Sequence, residues 1–206
     1  MKPSAKQKTF KLVELSIFVA LIFIMQYLGT IASSPLKVAG IELSFVLVPI
    51  VIGAFLLGPL EGAFLGFVFG VMTIILTIVA PGSMLYILFD SNPVLFIVTA
   101  ILKAILAGFG AGCLYKGLGK LFKGKYTYLK TLIASASAPI INTGIFLLGM
   151  CLFFNKTISE TWAGGQNVFL FLVGLIGLNF IIEITINIVL TPAIIRIVEA
   201  IKKKVK

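Results

Sequence analysis

The sequence predicts an all-α integral membrane protein of six transmembrane helices with both termini in the cytoplasm. Three observations predict it. Of the 206 residues, 60% are hydrophobic and only 12% are charged, where a soluble domain carries about a quarter. The mean hydropathy is +1.16. The apolar residues gather into six runs, and a helix needs roughly 20 such residues to cross the hydrocarbon core. The chain therefore reads as a single membrane domain, 1–206, with spans at about 10–32, 41–58, 62–80, 93–115, 129–154 and 167–198.

Each span has its own signature. The first ends near "TIASS" (30–34), whose small residues mimic a cleavage site. Its apolar stretch is longer than a signal-peptide core, so it is expected to remain as a helix. The second is short, carries Pro49 and runs into "LLGPLEG" (56–62), a tight turn marked by Gly and Pro. The third and fourth bear ladders of small residues, Gly62, Gly66 and Gly70, then Ala100, Ala104, Gly108 and Gly112. Spacing by four keeps each ladder on one helix face, where small residues let helices approach closely in lipid. The fifth holds Pro139 in "SASAPIINTG". Proline cannot donate a backbone hydrogen bond, so a kink is expected, with Ser135 and Ser137 near the freed carbonyl. The sixth is longer than a bilayer requires, and its last turns, "RIVEAIKKKVK", are expected to emerge on the cytoplasmic side.

Orientation follows from the basic residues. Of the 17 Lys and Arg, all but Lys37, Lys103 and Lys156 lie in three segments, 2–11, 116–130 and 196–206. An excess of Lys and Arg marks cytoplasmic loops, which places both termini inside. The formal net charge of +10 thus points to the membrane surface rather than to nucleic acid.

The same reading excludes several chemistries. Histidine is absent, which removes the commonest general base and zinc ligand. Cys113 and Cys151 stand singly near opposite faces of the membrane, so neither a metal site nor a disulfide is expected. "GKLFKGK" (119–125) imitates the start of a phosphate-binding loop. Tyr126 follows where Ser or Thr should hold magnesium, and no strand precedes it. No catalytic residue, metal or cofactor is expected.

Polar residues inside the spans are the candidate site. A charge at the bilayer centre costs about 2.5–3.5 kcal/mol on insertion scales, so such groups face a cavity or a partner. At 1.5 Å per residue, Lys103 lies roughly 14 Å from the outer end of its span, and Asn142 and Asn179 roughly 18 Å from theirs. Asn179, Glu183 and Asn187 recur every four residues, one stripe on the sixth helix. Two readings stand: Glu183 pairs with Lys103 and the asparagines bond neighbouring helices, or Lys103 attracts an anionic ligand whose polar groups the asparagines bond. The loops 30–42, 80–93 and 155–167 are long enough to cover such a site. Trp162, the single tryptophan, either caps a ligand or anchors at the headgroups.

Together these features resemble the substrate-binding S component of energy-coupling-factor (ECF) vitamin transporters. The likeness covers nearly the whole chain. "GIELSFVLVPIVIGAFLLGPLEGAFLGFVFGV" (40–71) is similar to that family's second and third spans, and "PIINTGIFLLGMCLFF" (139–154) to the fifth span of one vitamin-binding branch. The resemblance implies a non-catalytic subunit of a bacterial cell membrane. It would capture a small water-soluble vitamin or precursor from outside, mainly with spans four to six and the outer loops. A separate transmembrane T component and two ATPase subunits would supply the energy. In the family the first span often carries an AxxxA docking face; here Ser16 and Ala20 occupy it, and Ile24 departs from it. The substrate-binding residues expected are Lys103, Asn142, Asn179, Glu183 and Trp162. A lysine with several amides suits pantothenate, a small anion with hydroxyl and amide groups; riboflavin or folate would call for more aromatic surface. A stand-alone ion-coupled carrier is the alternative from another class, although no internal repeat is evident.

Overall fold

The glycine and alanine ladders of the third and fourth spans fold against each other. The computed structural model describes residues 5–32, 45–81, 83–123 and 125–205. Among these residues all regular structure is helical, in nine segments. They are α1 (Ala5–Ala32), α2 (Leu47–Leu57), α3 (Pro59–Val79), α4 (Met84–Ser91), α5 (Pro93–Leu121), α6 (Thr127–Phe153), α7 (Asn155–Ile158), α8 (Val168–Val189) and α9 (Thr191–Val205). A single widened turn, Ser159–Ala163, follows α7. Five helices are long and apolar enough to cross a membrane: α1 over Lys8–Gly29, α3, α5, α6 and α8. The protein is an all-α membrane protein.

Two segments differ from the expected spans. Residues 41–44 of the second span, and most of the loop before it, lie outside the described residues. Its described part, α2, has 11 residues and rises only about 16 Å at 1.5 Å per residue. It is apolar all round, as a helix enclosed by others must be, and every residue from Leu47 to Phe55 is buried. The sixth span is not one helix. Pro192 has no N–H to offer the Ile188 carbonyl, so α8 stops at Val189 and α9 starts at Thr191 with proline in its first turn. Ile194 and Val198, one turn apart on α9, are buried beside α2.

The turns follow local chemistry. Gly58 ends α2 at φ +127°, a conformation that suits glycine, and Pro59 opens α3 at once. Asn92 caps α5 by accepting from the Leu95 amide at 3.1 Å. Asn167 caps α8, accepting from the Phe169 and Leu170 amides at 3.0 and 3.3 Å. Part of the loop 80–93 is itself helical, as α4. The imitation phosphate loop is the turn between α5 and α6, with Lys123 and Tyr126 at positive φ. Cys113 and Cys151 are both free.

The α3–α5 contact is between backbones. A Cβ added at Gly66 would stand 2.1 Å from the Ala104 carbonyl oxygen, and one at Gly108 would stand 2.0 Å from the Gly62 carbonyl oxygen. One at Gly112 would meet the Pro59 Cα at 2.7 Å. Only hydrogen at these positions permits the approach. On another side α5 runs antiparallel to α6, where Gly149 leaves space for Thr99 and Gly110 for Ile141. At the lysine-rich end Tyr115 of α5 stacks on Phe55 of α2 with centroids 4.0 Å apart. The Lys130 ammonium of α6 caps the Tyr115 ring at 4.1 Å. Lys11 of α1 forms an ion pair with Glu61 of α3 at the same end.

Pro139 lies inside α6. Ser135 Oγ donates to the Leu132 carbonyl at 3.1 Å and Ser137 Oγ to the Ala134 carbonyl at 2.7 Å. The serines thus serve carbonyls one turn earlier rather than the one that proline frees.

Gly66→Ala is expected to cost about 1–3 kcal/mol through overpacking, whereas Gly174→Ala, with nothing within 4 Å of its Cβ position, is expected to be neutral or mildly stabilising. Thermal unfolding of the two detergent-solubilised variants checks this; equal melting temperatures would mean that the seam is loose.

Candidate ligand-binding site

The buried apolar residues form two clusters, and the sequence-predicted polar residues lie between them. The first gathers α2 with parts of α1, α3, α5, α6 and α9, including Ala104, Ala138 and Ile194. The second lies toward the opposite end, around Leu88, Phe96, Ala100, Met150, Phe154 and Leu172. Along α5, Lys103 falls between Ala100 of one cluster and Ala104 of the other. Along α6, Asn142 falls between Ala138 and Phe146. Along α8, Asn179 and Glu183 fall between Ile176 and Ile186. Each helix thus changes from apolar to polar and back at the same layer.

Lys103 is half-buried. Its Nζ stands 4.1 Å from the centroid of the Phe146 ring, so the ammonium faces the ring's negative surface. Phe146 is one turn from Asn142 on α6, which brings Lys103 and Asn142 to one side of the α5–α6 interface. The two hydroxyls of Ser135 and Thr191 lie 3.3 Å apart, fixing the level of α6 against the α8–α9 break. Roughly 11 Å along each antiparallel helix from that contact Asn142 comes level with Glu183, and roughly 17 Å along it Phe146 comes level with Asn179.

Glu183 is 2% exposed, Asn142 6% and Asn187 1%; Asn179 is half-buried. Asn179 Nδ2 donates to Glu183 Oε1 at 3.1 Å. Asn187 Nδ2 donates to the Glu183 carbonyl oxygen at 2.9 Å, and Thr191 Oγ1 to the Asn187 carbonyl oxygen at 2.9 Å. The Oδ1 atoms of Asn142, Asn179 and Asn187 are buried with no hydrogen-bond partner among the described residues. A buried acceptor left so costs about 1–3 kcal/mol. Amide rotation exchanges oxygen for nitrogen, so each side chain can offer a guest an acceptor or a donor. One cation and several amides with unpartnered oxygens can receive a small anion that also carries amide or hydroxyl groups.

Trp162 is half-buried in the widened turn after α7 and packs on the second cluster, as Phe146 does. Ser16 and Ala20 stand elsewhere, exposed on α1, and the Ser16 hydroxyl is spent on the Leu12 carbonyl at 3.0 Å. Sequence reasoning missed Phe146, although its place four residues after Asn142 on one helix face was the available signal.

A family model described as "ECF transporter, substrate-specific component" matches residues 10–195. The chain is also 29% identical over 196 residues to the pantothenate transporter PanT of Leuconostoc mesenteroides subsp. mesenteroides, with 92% of each chain covered.

Asn142→Leu removes a buried acceptor while roughly keeping volume, so the ligand-free variant is expected to melt no lower than the parent. A fall of several degrees would assign the amide a structural bond instead.

Proposed function

This chain belongs to the family of ECF transporter substrate-specific components, and we propose that it captures pantothenate, with Lys103 as the group that holds the carboxylate. The observation that carries the reading is the Lys103 ammonium over the Phe146 ring, in one layer with the amides of Asn142 and Asn179. Pantothenate offers a carboxylate, an amide and two hydroxyls, one group of each kind that this layer can bind. The likeness to the Leuconostoc pantothenate transporter supports the same ligand. Glu183 holds Asn179 in place through its carboxylate, and Trp162 closes the loop side with apolar surface.

The orientation proposed places both termini and the three lysine-rich segments in the cytoplasm, and the loops around α4 and Trp162 outside, in a bacterial plasma membrane of six spans. The site then opens to the external solution. The subunit performs no chemistry. Partners supply the energy: a transmembrane T component and two ATPases, with the first docking on the exposed face of α1 at Ser16 and Ala20.

A charge-assisted hydrogen bond is worth about 1.5–3 kcal/mol, or roughly 10- to 150-fold in affinity. Lys103→Met is therefore expected to weaken pantothenate binding by that factor while barely changing affinity for pantothenol, which has an alcohol in place of the carboxylate. Isothermal titration of both ligands checks this, and equal losses for the two would remove the carboxylate role from Lys103.

Ser16→Leu is expected to leave pantothenate affinity within about twofold and to lower ATP-dependent uptake in vesicles that also contain the partner subunits. Uptake by this chain alone, driven by a sodium or proton gradient, would replace the proposal with a stand-alone carrier.

A further inference from the structure

At the lysine-rich end an open groove of about 600 Å³ runs between the start of α3 and the last turns of α5. Its α5 wall is one stripe, Phe109, Cys113, Lys116 and Lys120, spaced by three and four residues and so on one face of the helix. Leu60 of α3 lines the facing wall. The apolar part is uncovered: Leu60 is 74% exposed and Phe109 38%. The stripe lies on a different face of α5 from the glycine seam and from Lys103.

Depth sorts the lining. Counted from Pro93 at 1.5 Å per residue, Phe109 lies roughly 24 Å along α5 and Lys116 roughly 35 Å. The hydrocarbon core is about 30 Å thick. The phenyl ring therefore stands among acyl chains and both ammoniums stand among headgroups. Glu61 also lines the groove, but its carboxylate is engaged by Lys11. Lys116 and Lys120 have no ion-pair partner among the described residues and are exposed. Two ammoniums one turn apart above an apolar floor match the polarity of an anionic glycerophospholipid, phosphate above and acyl chain below.

We propose that this groove is a binding site for an anionic phospholipid, whose phosphate lies between Lys116 and Lys120 and whose acyl chain lies along Phe109 and Leu60. A free phosphate would use the lysines and leave the apolar floor idle. An acidic protein segment would have to enter at acyl depth. The site is separate from the pantothenate layer and stands whether or not that ligand is correct.

The test is native mass spectrometry of the detergent-purified chain with added phosphatidylglycerol, phosphatidylcholine or inorganic phosphate. The expected result is one phosphatidylglycerol per chain, at least tenfold preferred over phosphatidylcholine and not displaced by millimolar phosphate. The double variant Lys116→Gln/Lys120→Gln should lose the preference, while Lys123→Gln/Lys125→Gln in the adjoining turn should keep it. A second readout needs no lysine change. In a Cys151→Ser background, phosphatidylglycerol should slow maleimide labelling of Cys113 severalfold more than phosphatidylcholine does. Equal retention of the two lipids, displacement by phosphate, or unchanged retention in the Lys116/Lys120 variant would each overturn the proposal. So would loss of partner-subunit binding in that variant with lipid retention intact, which would make the groove a protein-docking surface.

Discussion

The backbone contact between α3 and α5 is the constraint on which the rest depends. Ala104 is pressed on Gly66, and Gly108 on Gly62, with no side chain between them. Such a contact fixes both the height of α5 and its rotation about its own axis. Neighbouring residues on a helix point about 100° apart. With Ala104 turned to α3, Lys103 is turned toward α6, where Phe146 receives it. Were the seam looser, α5 could rotate, and a long flexible side chain would find water or headgroups instead. The direction of the central cation is thus set by residues that have no functional group.

The seam also explains why the polar layer can be tolerated. Association of helices in lipid gains little from the hydrophobic effect and rests on close packing. Here the packing lies in two apolar clusters, one above and one below the layer. The clusters hold the helices, so the layer need not. Its amides keep unsatisfied oxygens, a cost that buried polar groups ordinarily avoid. In α3, by contrast, the buried threonine hydroxyls are satisfied within their own helix. Thr73 donates to the Phe69 carbonyl at 3.0 Å and Thr77 to the Thr73 carbonyl at 2.8 Å. The committed hydroxyls thus contrast with the unpartnered amide oxygens of the layer.

Much of this was legible in the sequence because membrane helices obey few rules. Hydropathy located the apolar runs, and period-four small residues marked the seam. Depth arithmetic needs only the helical rise, so it could put Lys103, Asn142 and Asn179 at similar depth, within about a helical turn, from three separate runs. What it could not give was the partner of the ammonium. Phe146 is one of 18 phenylalanines, and nothing in its type distinguishes it. Its place one turn after Asn142 puts it on the right face of α6, but the register of α5 on α6, through pairs such as Thr99 with Gly149, is what brings it to the ammonium. The break at Leu190 was signalled by Thr191–Pro192, but an unbroken apolar run hid it. Proline removes one donor wherever it stands; whether the helix continues, as through Pro139, or ends, as at Pro192, depends on what packs there. Pro139 is enclosed by the first cluster's helices. Past Pro192 the chain becomes amphipathic and can turn one face, Ile194 and Val198, onto α2.

The polar residues of α8 show how one helix can serve two tasks. From Glu183 downward they are tied in sequence: Asn187 to the Glu183 carbonyl, Thr191 to the Asn187 carbonyl, and Thr191 to Ser135 across the helix interface. That chain fixes the lower half of α8 to α6. From Glu183 upward, Asn179 donates to the carboxylate. An amide held by one end is oriented yet keeps its other end for a guest. A carboxylate suits that holding role because it accepts strongly and in two directions. Glu183 therefore stands at the junction between the anchored and the available halves of the helix. On the proposed function, the stripe of three polar residues spaced by four, uniform in the sequence, divides at its middle member into structure below and recognition above.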